Sequence, residues 1–378
     1  MRNQLLVLSA CVTALVSSAG PVLAQPPAAP PPVVSPEIAP SRDVTLRVRA
    51  PAAARVDLVS GGDMAAIPFG AGLPLSKGAD GVWQAMIPNL DSGAYRYRFS
   101  VDGVPTGDPS NPLTSQSNGN AWSVFYVPGA AFMDAQRVAH GAVADVIYYS
   151  NVLGRERRMH VYTPPGYERG RDTYPVFYLL HGATDNDDSW STVGRAGFIL
   201  DNLIAAGDAQ AMIVVMPDGH TGRFAMGGAP LDSTEFVREF TNDIKPYVER
   251  TYRASTGRAA TAIAGLSMGG AQTLDIALGN LADYGYVGVF SSGVFGIGQS
   301  TAWEDVHRAQ LDDAALKRGL ELVWFSTGKD DFLIDTTRAT VAMLERHGFD
   351  VDYEESSGGH TWINWREYLN ELAPRLFR

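Results

Sequence analysis

Residues 261–278 read TAIAGLSMGGAQTLDIAL, and this stretch decides the fold. Small and β-branched residues lead to Ser267, which Gly265, Gly269 and Gly270 surround. Ala271, Leu274 and Leu278 then recur at helical spacing. A strand that turns at once into a helix brings two backbones together, so residues beside the turn must lack side chains. The serine on such a turn is thrust into open space. The pattern G-x-S-x-G, with a strand before it and a helix after it, therefore predicts a nucleophile elbow.

The flanking sequence agrees. Residues 175–182 (PVFYLLHG), 211–219 (AMIVVMPDG) and 322–328 (LVWFSTG) are apolar throughout, as parallel strands covered on both faces must be. Helical patterns lie between them. Phe236, Phe240, Ile244, Tyr247 and Val248 share one face, with a kink expected at Pro246, and Val341 and Leu344 begin another face that Gly348 ends. Strands alternating with helices over residues 140–378 predict an α/β fold with a mostly parallel central sheet.

Upstream the period changes to two. Val44, Leu46 and Val48 alternate with polar residues, as do Tyr95, Tyr97, Phe99 and Val101. Residues 41–127 are therefore expected to form a small all-β sandwich, with the aromatics pointing inward. Residues 25–40 (QPPAAPPPVVSPEIAP) predict an extended, unpacked linker. Residues 1–24 carry Arg2, an apolar run and small residues up to Ala24, which together predict a secretory signal and a secreted or periplasmic product. Cleavage there removes Cys11, the only cysteine, and with it any thiol nucleophile. The 378 residues hold 30 Lys and Arg against 41 Asp and Glu, a net charge of −11 with no basic run. That balance argues against nucleic acid or an anionic membrane surface as a partner.

A serine hydroxyl is a weak nucleophile at neutral pH and needs a base. Of seven histidines, His360 lies in SSGGHTWINW, a loop between the last strand and the last helix. The order serine, acid, histidine, with histidine on that loop, is the order this fold uses. The acid should follow the strand 322–328, where Asp330 and Asp331 stand side by side; periodicity does not choose between them. The backbone N–H of Met268 supplies one oxyanion donor, and the loop after 175–182 supplies the second, with Ala183 preferred over Gly182 and Thr184. Asp185, Asp187 and Asp188 lack the rest of a calcium loop, so a helix cap or a solvated turn is expected there. No metal and no cofactor are expected. Trp190 and Trp362 flank the oxyanion loop and His360, and with His220 they are candidate substrate-binding residues.

The motifs LLHGATDNDDSW, IVVMPDGH, IAGLSMGGAQTL, GKDDFL and GGHTWINWREYL occur in one order over residues 140–378, and in that order they resemble the esterase D-type α/β-hydrolases. The likeness is greatest to the feruloyl and acetylxylan esterases of carbohydrate esterase family 1. Relatives usually read G-x-x-D-F-L at the segment like GKDDFL, so the resemblance assigns the acid to Asp331. The front segment GVWQAMIPNLDSGAYRYRFSVDG resembles the early-set immunoglobulin-like domain that often precedes such esterases. The resemblance implies an exported serine esterase acting on an acylated polysaccharide, an acylated oligosaccharide or a small aromatic ester. Two alternatives stand beside it: a catecholate siderophore esterase or acyltransferase of the same fold, and a carbohydrate-binding protein with a hydrolase-like fold. Every triad position is occupied, which favours an enzyme.

Overall fold

The structure, a computed structural model, describes residues 31–68, 70–225 and 232–378. The expected signal segment and the first part of the Pro/Ala-rich stretch lie outside the described residues. Eight strands build the sheet that carries the site. They are β1 (Ala142–Ser150), β2 (Arg155–Thr163), β3 (Val176–Leu180), β4 (Ile213–Pro217), β5 (Thr261–Leu266), β6 (Tyr286–Phe290), β7 (Leu322–Gly328) and β8 (Asp352–Ser356). Their spatial order is β1-β2-β4-β3-β5-β6-β7-β8. Strand β2 runs antiparallel to both its neighbours, and the remaining pairs are parallel.

The continuous apolar runs of β3 to β6 are buried at every residue because helices cover both faces. Phe177 and Leu179 pack on one side with Ile199, Leu200 and Trp365. Tyr178 and Leu180 pack on the other with Phe240, Leu274 and Leu344. Each large apolar side chain so buried contributes about 1.5–3 kcal/mol. Where a kink is expected at Pro246, the chain instead widens to a π turn over Phe240–Ile244 and continues as helix Lys245–Thr251. The wide turn places the proline, which has no N–H to give, in a first helical turn where none is required.

The front region consists of two antiparallel sheets, one of four strands and one of six. Val44 and Leu46 of the first share a core with Leu58, Tyr97 and Phe99 of the second, all fully buried. The aromatics of strand Gly93–Val101 point inward, and the intervening Ala94 and Arg96 are buried as well. Alternation predicts a solvated outer face for this strand; here that face packs on the catalytic region. The linker expectation also fails at its described end. Ser35 is buried and its hydroxyl accepts the Arg47 N–H (2.9 Å), while Glu37–Ile38 pairs with Thr45 and Val44. Residues Val33–Arg378 thus pack as one compact unit. No helix among the described residues is long and apolar enough to cross a membrane.

Candidate active site

Strand β5 ends at Leu266 and helix Met268–Gly279 begins one residue later, with Ser267 between them at φ 52° and ψ −120°. That conformation is strained for a residue with a side chain and persists only where packing over-determines it. The surrounding glycines supply the packing. A Cβ on Gly265 would lie 2.3 Å from the Gly269 carbonyl oxygen, and one on Gly269 would lie 2.5 Å from the carbonyl oxygen of His181. The glycines around the serine are thus required by backbone contact.

The loop after β8 brings His360 to the serine. The Ser267 hydroxyl donates to His360 Nε2 at 3.0 Å, and His360 Nδ1–H donates to Asp331 Oδ2 at 3.0 Å and Oδ1 at 3.1 Å. Asp331 is buried, and its Oδ1 also accepts the Leu333 N–H at 2.8 Å. Burial pushes its carboxyl up, but the hydrogen bond and charge of His360 and the Leu333 N–H outweigh this and hold it below the ordinary carboxylate value. Asp330 is exposed, and the imidazole Nδ1 is bonded to Asp331 and not to it. Phe332, the residue after the acid, does not pack beneath this loop to direct it: it is 75% exposed and stands against the His360 ring, centroids 4.4 Å apart. The carboxylate is instead directed by His360 and the Leu333 N–H.

The loop of residues 182–185, where an oxyanion donor is expected, is braced from beneath. His181 Nδ1–H donates to the Gly182 carbonyl at 2.8 Å, and its Nε2 accepts the Gly219 N–H at 2.8 Å. His220 Nε2–H donates to the Ala183 carbonyl at 2.7 Å. Burial and the neighbouring His181 lower the His220 pKa to about 4, so it stays neutral and keeps that proton. His220, a substrate-binding candidate from the sequence, is therefore a brace of the loop. The N–H groups of Met268 and Ala183 have no hydrogen-bond partner among the described residues, and Ala183 faces the same cavity as Ser267.

That cavity has a volume of about 370 Å³, and Ser267, His360, Phe332, Trp362 and Trp365 all line it. Trp190 does not reach it: the ring is buried in the core beside Trp362 and Phe290, and its Nε1–H donates to the Leu180 carbonyl. The candidate platform is Trp362, whereas Trp190 supports it edge to face. A second cavity, of about 510 Å³, runs along the elbow helix past Met268, Asp275 and Trp303 and includes neither Ser267 nor His360.

Four cavity-lining residues, Gly61, Gly62, Asp63 and Arg96, come from the front region, and sequence reasoning singles out none of them. Arg96 forms a buried ion pair with Asp185 and also donates to Ser189 Oγ at 2.8 Å. Nothing local distinguishes this arginine from the exposed polar residues of an alternating strand. The acidic run is neither cap nor solvated turn. Asp185 takes Arg96, Asp187 takes Arg158 and His160, and Asp188 accepts the Gln116 N–H. Asp145, His160 and Asp187 have ligand atoms within 4.8 Å of one another, but Arg158 already donates to both oxygens of Asp187.

An eight-stranded sheet of this order with a serine on its central elbow defines an α/β-hydrolase fold. The chain belongs to the esterase family, whose model matches residues 150–376. An endo-1,4-β-xylanase/feruloyl esterase of Xylanibacter ruminicola is 28% identical over 319 residues, 81% of this chain and 42% of that protein. The chain thus spans about two fifths of that relative's length. A CE1 ferulic acid esterase of Anaeromyces mucronatus, in complex with ferulic acid, is 26% identical, with a TM-score of 0.57 over 66% of this chain and 96% of that one. The enterobactin esterase of Shigella flexneri shares the fold across 88% of this chain and 92% of its own, at 18% identity and a TM-score of 0.62.

Proposed function

We propose that Ser267, His360 and Asp331 are nucleophile, general base and orienting acid of an exported esterase that releases aromatic acyl groups of the feruloyl kind, or acetyl groups, from plant cell-wall polysaccharide. One observation carries this reading: the hydrogen-bonded chain from Asp331 through His360 to Ser267 opens on a cavity walled by Trp362 and Trp365. His360 Nε2 takes the hydroxyl proton as Oγ attacks the ester carbonyl. The oxyanion that forms is held by the N–H groups of Met268 and Ala183. Collapse expels the alkoxide, which takes the proton from His360, and leaves an acyl-serine. A water molecule then gives its proton to His360 and attacks the acyl carbon, freeing the acid and restoring the serine. Asp331 holds the imidazole in the required tautomer and balances its transient positive charge. The apolar run and small residues of 1–24 support export.

A second reading, cleavage of a catecholate siderophore ester, has in its favour that the fold likeness to the Shigella esterase extends over both regions of the chain. One panel separates the two: p-nitrophenyl acetate, methyl ferulate, acetylated xylan and a catecholate siderophore. Ser267→Ala is expected to remove several orders of magnitude of turnover on whichever substrate is best, with the melting temperature kept. Near-parental turnover by the folded variant would end the mechanism.

A further inference from the structure

The turn Gly61-Gly62-Asp63 reaches from the front region into the wall of the cavity that holds Ser267 and His360. Asp63 is 7% exposed. Its Oδ1 accepts the backbone N–H of Trp362 at 2.9 Å, which fixes the carboxylate two residues from His360. Its Oδ2 takes no hydrogen bond from any described residue, while Arg96, the other front-region residue in this wall, has its guanidinium engaged by Asp185, Ser189, Ser115 and the Gln116 carbonyl. An uncommitted carboxylate oxygen in an enclosed site costs free energy until a donor reaches it. The nearby walls are aromatic, so the group that enters must combine an aromatic body with a hydrogen-bond donor. Burial pushes the Asp63 carboxyl above its ordinary value despite Arg366, the Trp362 N–H and Arg96, which makes it a more basic acceptor.

We infer that Asp63 is a specificity residue that reads a phenolic hydroxyl on the acyl group of the substrate. The inference deepens the aromatic-acyl reading above and rests on it. A hydroxyl donating to a charged acceptor in a dry site discriminates against the analogue that lacks it by about ten- to a hundredfold. The same chemistry is offered by hydroxycinnamoyl esters and by 2,3-dihydroxybenzoyl compounds, and a cavity of about 370 Å³ is in the range of small-ligand sites.

Two ester pairs test it on the full chain. One is methyl ferulate with its 4-O-methyl ether; the other is the cyclic triester of 2,3-dihydroxybenzoylserine with its O-methylated form. The parent is expected to favour the free hydroxyl at least tenfold in kcat/KM within the pair it cleaves, and the identity of that pair names the source of the acyl group. In Asp63→Asn, which keeps the acceptor for Trp362 N–H, the ratio should fall towards one. The ratio is internal to each variant, so a general loss of activity cancels. A parental ratio near one, or an unchanged ratio in Asp63→Asn, overturns this inference alone. Failure to cleave either pair while p-nitrophenyl acetate is still cleaved overturns the aromatic-acyl reading and this inference with it. Should Asp63→Asn not fold, calorimetry on Ser267→Ala decides: ferulate must bind at least tenfold tighter than 3,4-dimethoxycinnamate, or, where the siderophore pair is the one cleaved, its free acid tighter than the methylated acid. Equal affinities overturn it.

Discussion

Asp330 and Asp331 are neighbours on one turn, and their environments differ as much as two carboxylates can. Asp331 has its carboxylate on the imidazole and on the Leu333 N–H, out of water. Asp330 is exposed; its backbone N–H donates to the Gly358 carbonyl at 2.9 Å, a bond any residue would make. An asparagine at the acid position keeps the shape but favours the wrong imidazole tautomer, a loss of about 10⁴ in kcat in the serine-protease case. Asp331→Asn should therefore fall by a few orders of magnitude, and Asp330→Asn by less than about tenfold. Parallel kcat measurements on the best substrate check this. A larger loss at Asp330 would move the acid by one residue.

The loop 182–185 has an internal backbone hydrogen bond, Asp185 N–H to the Gly182 carbonyl at 3.1 Å, and neighbouring elements brace it further. His220, on the loop after β4, donates to the carbonyl of Ala183 from a ring whose burial disfavours the charged form. Its pKa of about 4 against an ordinary 6.5 sets the sign: between those values the unfolded chain binds more protons than the folded one. This contribution is complete above pH 6.5 and is lost as pH falls to about 4, to the extent of about 3 kcal/mol. Burial pushes the Asp218 carboxyl up, but Arg157 and the His220 N–H help to hold it at about 2, so it loses its own contribution only below its ordinary 3.8, outside this window. Urea midpoints from pH 7.5 to 4 should show a fall in the parent that shrinks in His220→Gln, whose amide can still donate to Ala183. Identical pH slopes in the two proteins would assign the titration to another group.

At the scale of the whole molecule, the front region helps to build the cavity that holds Ser267 and His360. The Arg96–Asp185 ion pair is almost wholly out of water, with side chains 6% and 3% exposed. Asp188 is held by the backbone of strand Thr114–Ser117, and the Trp362 N–H by Asp63. Removing one partner of a buried pair leaves an uncompensated charge, at a cost of about 3–5 kcal/mol. Arg96→Met should lower stability by that order. A chain beginning at Ala130 should lose more, since Asp63 and the cover over Trp362 go with it. Thermal melts of the three proteins, with turnover of p-nitrophenyl acetate, measure this. A truncated chain that melts and turns over like the parent would show the catalytic region to be self-sufficient.

The elbow, the parallel strands and the chain order of Ser267 and His360 are legible in the sequence because each is a local matter. Glycines mark where backbones touch, and an unbroken apolar run marks a strand covered on both faces. The neighbouring aspartates needed more than pattern, since adjacent residues on a turn share a context and differ only in direction. Tertiary structure alone decided what lay beyond the reach of a few residues: that Trp362 lines the cavity and Trp190 does not, that His220 braces a loop, that Phe332 stands at the surface, and that three acidic residues are buried. Period-two alternation identified the two faces of strand Gly93–Val101 and placed its aromatics inward. It carried no information about what covers the other face, because the partner of Arg96 lies 89 positions away along the chain.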